Sequence, residues 1–125
     1  MNLTGRWRIT EMDLWGPDDI DLVGPGFIEL DANRTGTFGF IAVKGTLDWR
    51  ETRRDGRPGV EFTWVGFDED DQASGRGWAV LAEDGSLHGH IYFHLGDNSG
   101  FVAVPPGSRP KSLPKATARN PRRWR

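Results

Sequence analysis

The chain has 125 residues, 36% of them hydrophobic, with six Trp, seven Phe and no Cys. That length holds one domain with an extension rather than two domains, and the missing thiols exclude disulfides and thiolate chemistry. The formal net charge of −2 hides a division: residues 1–104 carry all 18 acids and 9 of the 16 Lys and Arg, a balance of −9, while 105–125 carry the other 7 cations and no acid, a balance of +7.

Alternation of apolar and polar residues predicts eight strands, near 5–12, 27–31, 35–43, 45–53, 59–67, 75–81, 86–94 and 99–104. Asp55-Gly56 and Asp84-Gly85 are hairpin signals, because such turns need positive φ. "GPDDIDL" allows one helical turn opened by Pro17; no stretch sustains a 3.6-residue period. Eight successive hairpin-linked strands predict an all-β, up-and-down antiparallel barrel over 1–104, since closure removes exposed edges; a two-sheet sandwich is the alternative. Residues 105–125, with five of the chain's eight prolines and little apolar content, are expected to be a disordered basic tail.

Strand parity then sorts the side chains. The expected interior collects Trp7, Ile9, Ile28, Leu30, Phe38, Phe40, Leu47, Trp49, Phe62, Trp64, Trp78, Val80, Leu87, Ile91, Phe93 and Phe101. Ile41, Val43, Val65, Phe67, Gly77 and Ala79 are expected outside. Glu11 and Glu51 have interior parity, toward opposite ends.

"LTGRW" resembles the start of the calycin group, the lipocalins and avidins, whose first strand carries a Gly-x-Trp. The Gly carries over to Gly5 and the Trp to Trp7. The resemblance implies a barrel whose closed end is plugged by Trp7, often under a basic side chain from near the last strand. "SGFVAV" supplies no such cation, and no terminal helix follows.

Small eight-stranded barrels are filled by their own side chains or hold one small ligand, and both readings stay open here. With strand one running upward, residues 13–26, the turn near 44, 67–74 and 95–98 share the top. Both long connections there are acidic: Asp13, Asp18, Asp19 and Asp21 in one, Asp68, Glu69, Asp70 and Asp71 in the other. The top is therefore the expected binding end for a small molecule or protein partner, with Trp15, Phe40, Trp49, Trp64, Trp78, Asp68, Asp70 and Asp71 as candidate contacts. A filled barrel working through its outer wall or tail is the first alternative, a metal-dependent enzyme the second. "DEDDQASGRG" lacks the EF-hand pattern.

All three histidines fall in "LHGHIYFHL", where His88, His90, Tyr92 and His94 share one strand face. His-x-His on a strand can chelate Zn²⁺, but a third ligand has to come from elsewhere. The outward row is read instead as an association surface, predicting a homodimer through strands six to eight. No Ser lies in a G-x-S-x-G context and no P-loop or dinucleotide fingerprint occurs, so no catalytic residue, metal ligand or cofactor is assigned. Nucleic acid enters as a partner only through the tail, where Trp124 lies among Arg122, Arg123 and Arg125. No window reaches the roughly 18–20 apolar residues of a membrane span and no secretory pattern opens the chain, so the expectation is a cytoplasmic protein without a membrane partner.

Overall fold

Alternating side chains on eight successive segments produce eight strands in the computed structural model, which describes residues 3–105. They are β1 (Gly5–Met12), β2 (Phe27–Leu30), β3 (Thr35–Phe40), β4 (Val43–Arg54), β5 (Arg57–Asp68), β6 (Asp71–Leu81), β7 (Leu87–Phe93) and β8 (Asn98–Val104). Each pairs antiparallel with its neighbour, and β1 pairs with β8 to close the barrel. The expected up-and-down architecture is therefore the fold, and one short helix, α1 (Pro17–Ile20), interrupts the β1–β2 connection as the "GPDDIDL" reading anticipated. The tail reading, with Trp124 and its neighbouring arginines, lies outside the described residues.

Turn chemistry sets the register. Asp55 (φ 52°) and Gly56 (φ 79°) make the two-residue link between β4 and β5 with the positive φ values a twisted hairpin requires. The β3–β4 turn falls at 41–42 rather than near 44, so Phe40 and Val43 pair directly and both point inward. Val43 was expected outside; the earlier turn changes its parity. Ile41 occupies the turn at φ 56° and donates its N–H to Ile20 O at 2.8 Å.

The core runs from Leu3 and Trp7 through Leu47, Trp49, Val60 and Phe62 to Phe38, Phe40 and Trp64. On β6 the observed parity is the reverse of the expected one. Gly75, Gly77 and Ala79 face the interior, opposite Trp64, Phe62 and Val60, while Trp78 and Val80 are half-buried on the outer wall. The reason is volume. A Cβ added at Gly77 would lie 2.5 Å from the Phe62 ring, so the rings of β5 already occupy the space that a large β6 side chain would need. A second reversal follows a register shift between Ile9 and Glu11, which leaves Glu11 exposed. Glu51 keeps the inward register opposite Val60 but is exposed where β4 leaves the barrel.

Both long acidic connections lie at one end. Ile41 bonds the α1 segment, and Glu69 donates its N–H to Ala42 O at 3.0 Å, so the β3–β4 turn ties 13–26 to the β5–β6 turn. The opposite end carries the 31–34, 55–56 and 82–86 connections.

Candidate functional site

Aromatic rings close the acidic end. Trp15, half-buried, packs on Phe40 with centroids 5.5 Å apart. Phe40 continues to Phe38 at 5.9 Å and to Phe93 at 6.2 Å, and Trp64 meets Phe38 and Phe93 edge-on at 5.0 and 5.2 Å. Trp15, Phe40 and Trp64, expected to line a cup, thus form a continuous packed plug. Ser99 secures the lid: its Oγ accepts from the N–H groups of Asp13 and Leu14 at 3.0 and 3.2 Å and donates to Gly100 O. Nothing in the sequence singles out Ser99; its burial (1% exposed) marks it out.

The rim carboxylates divide by task. Asp13 Oδ2 accepts from Gly100 N–H, while Asp21 accepts from Gly26 N–H and from Arg8 Nη2. Asp68, Asp70 and Asp71 are exposed around the β5–β6 turn. Among the described residues no three His, Asp or Glu side chains gather as a metal site. Trp49 belongs to the lower half, where its Nε1–H donates to Thr35 O at 3.0 Å. It borders a small cleft of about 360 Å³ with Leu3, Glu51 and Pro58. Trp7 is buried beside it, its Nε1–H donating to Leu3 O at 2.9 Å, and Gly5 takes φ 122°.

A broad concavity lies on the outer wall. Register aligns Phe27, Gly39, Lys44, Phe67 and Gln72 across the outer faces of β2 to β6. Thr37, Thr46, Val65 and Ser74 form the next row. Five strands at about 4.8 Å spacing make this surface about 19 Å across. It floors a groove of about 1160 Å³, flanked by Val23, Gly24 and Pro25 on one side and by His94 on the other. Val65 and Phe67 are 62% and 51% exposed there. Gly39 has no side chain to fill the middle of the row, and a Cβ at that position would press on the Phe27 ring at 3.0 Å.

The histidine row is split three ways. His94 follows the end of β7 and faces the groove. His88 bonds Ser86 Oγ through Nε2 at 3.0 Å, and the Ser86 hydroxyl donates to Asp84 Oδ1 at 2.5 Å. His90 and Tyr92 join an outer stack: Arg54 lies 3.9 Å over the Trp78 ring, Trp78 is near-parallel to His90 at 6.5 Å, His90 meets Tyr92 at 4.6 Å, and Arg76 lies 4.2 Å over Tyr92. Trp78, expected to be a wall of the interior, is the centre of this external row. No helix among the described residues is long and apolar enough to cross a membrane. Comparison with protein-family models, curated proteins and solved structures yields no match for the chain.

Proposed function

We propose that the protein is a non-catalytic binding module on a calycin-like barrel, whose working surface is the outer-wall groove and whose partner is a protein segment presenting apolar side chains. The observation that carries this reading is the row from Phe27 to Gln72, with Val65 beside it. It leaves large apolar side chains more than half exposed in a concave surface. The groove exceeds the usual small-ligand range of about 300–1,000 Å³ and lies open along the wall, which favours a polypeptide over a small molecule. A closed barrel offers no free edge for strand addition, so recognition falls to side chains.

The calycin likeness draws support from the strand count and from Gly5 and buried Trp7 at the start of β1. The absence of a cation over Trp7 among the described ring contacts departs from the group's pattern. A ligand seated in the acidic end has less support, because the Trp15–Phe40–Phe93 packing occupies that mouth. An enzyme reading has less still. Ser86, with Asp84 and His88 at hand, gives its proton to the carboxylate rather than to the imidazole.

The test is binding of the fluorescent apolar anion 1-anilinonaphthalene-8-sulfonate to the folded chain at neutral pH. Enhanced fluorescence together with a raised melting temperature, both abolished by Phe67→Glu, is the expected result. Dye binding that survives Phe67→Glu and Val65→Glu contradicts it.

A further inference from the structure

The outer-wall groove lies between the two acidic connections. Val23, Gly24 and Pro25 of the first form one flank, while Phe67 and Gln72, the chain neighbours of Asp68 and Asp71, belong to its floor. Asp18, Asp19, Asp68, Glu69, Asp70 and Asp71 are exposed. Among the described residues none of them takes part in a salt bridge or a side-chain hydrogen bond. The neighbouring guanidiniums are already compensated: Arg8 pairs with Asp21, and Arg6, lying 3.9 Å over the Phe27 ring, pairs with Glu29. Lys44 is the one Lys or Arg among the described groove-lining residues. The free apolar surface is therefore Val23, Val65 and Phe67, each more than half exposed and flanked by uncompensated negative charge.

We propose that the groove's resident occupant is the chain's own segment 106–125, with Leu113 and Trp124 as apolar anchors and its cations meeting the flanking carboxylates. This rests on the reading of the groove as a polypeptide site, and it makes any outside partner compete with that segment. Residues 106–125 carry 7 of the chain's 16 Lys and Arg and no acid, and Leu113 and Trp124 are their bulky apolar side chains. Pro106, Pro110, Pro114 and Pro121 add a second match. Proline fixes φ, which lowers the cost of ordering an extended segment against an apolar, aromatic floor.

The point of attachment lies close to the groove. Val104, the last residue of β8, pairs with Arg8, and Arg8 pairs with Phe27 at the groove's edge. Two strand spacings, about 10 Å, separate them. Residues 106–125 can extend to about 70 Å at most, well beyond that gap together with the groove's width. A short tether keeps a segment at an effective concentration in the millimolar range, so individually weak contacts suffice for docking. A second barrel's groove face is a poorer occupant, because the same uncompensated carboxylates on both sides repel.

The experiment places a nitroxide label on Ala118→Cys in the full chain, a single site because the chain has no Cys of its own, and reads the broadening of methyl NMR signals at low salt. Expected is broadening at Val23 and Val65 that exceeds the broadening at Val102, which lies in β8 beside the point of attachment. Dilution should leave it unchanged, since the contact is within one chain. Raising salt from about 0.01 to about 1 M shortens the screening length from about 30 to about 3 Å and should relieve it. Asp68→Asn and Asp71→Asn, at exposed positions, should each lower the ratio of docked to free segment roughly 1.5- to 5-fold. Phe67→Ser, which removes an apolar contact without adding charge, should lower it too.

Broadening greatest at Val102 and fading toward Val65 is the pattern of an undocked segment and overturns the proposal. Broadening that appears on an unlabelled chain mixed with a labelled one and vanishes on dilution also overturns it, by assigning the segment to a neighbouring copy. Dye binding abolished by Phe67→Glu alongside either result keeps the groove as a polypeptide site while removing this occupant. Dye binding that survives Phe67→Glu and Val65→Glu, with broadening that ignores Phe67→Ser, contradicts the groove reading and this proposal with it.

Discussion

Trp64 and Gly75 face each other across the β5–β6 ladder inside the barrel, and the indole Nε1–H donates to Tyr92 O on the far side of Gly75 at 3.3 Å. A Cβ on Gly75 would lie 2.9 Å from that nitrogen and collide with the Tyr92 carbonyl oxygen. The ring and the bare backbone thus define one another, and this pairing sends Trp78 outward.

Gly75→Ala is therefore an overpacking change with backbone on one side of the clash. It should destabilise the fold by about 1–3 kcal/mol in denaturant unfolding. Gly24→Ala, where an added Cβ meets nothing within 4 Å, should stay within about 0.5 kcal/mol of the parent.

Trp15 acts as a lid on Phe40 rather than as a free rim contact. Trp15→Ala should lower stability by about 2 kcal/mol, roughly half the penalty for truncating a fully buried Trp. An unchanged denaturation midpoint would return Trp15 to the role of a ligand-contacting rim residue.

Ser99→Ala leaves the Asp13 and Leu14 N–H groups without their side-chain acceptor. The expected loss is about 1–3 kcal/mol. Amide exchange should quicken at 13 and 14 before it does at the β4–β5 ladder.

Asp84 titrates below its ordinary value of 3.8, held down first by the Ser86 hydroxyl, then by the Ser86 backbone N–H and, more weakly, by His88. A carboxyl with a depressed folded-state pKa contributes stability above its unfolded pKa, and that contribution is lost as pH falls through the folded value. Ser86→Ala removes the leading cause. A carboxyl-carbon NMR titration should show the Asp84 midpoint rising in that variant; an unmoved midpoint contradicts the hydrogen-bond assignment.

Strand number, order and closure are legible in the sequence because each strand's alternation is local and each hairpin carries its own turn residues. The parity of Trp78 is not, because ranking by hydrophobicity puts Trp inside, whereas the deciding quantity is the volume already taken by Phe62 and Trp64 from the next strand. Glu11 escapes for a related reason: one register shift near Thr10 turns its side chain outward, and nothing in "RITEM" announces it. The outer groove is invisible along the chain since Phe27, Lys44 and Phe67 become neighbours only through the register of three strand pairs. The shared acidic end, by contrast, follows from up-and-down topology alone.

The proposed function requires a barrel that is packed within and binds from its outer wall. Methyl NMR of the folded chain titrated with 1-anilinonaphthalene-8-sulfonate tests it most directly. Expected are shifts at Val23 and Val65, with the inward methyls of Leu47, Val60 and Ile91 unmoved. Shifts at those inward methyls with Val23 and Val65 unchanged would put the ligand inside the barrel and contradict it.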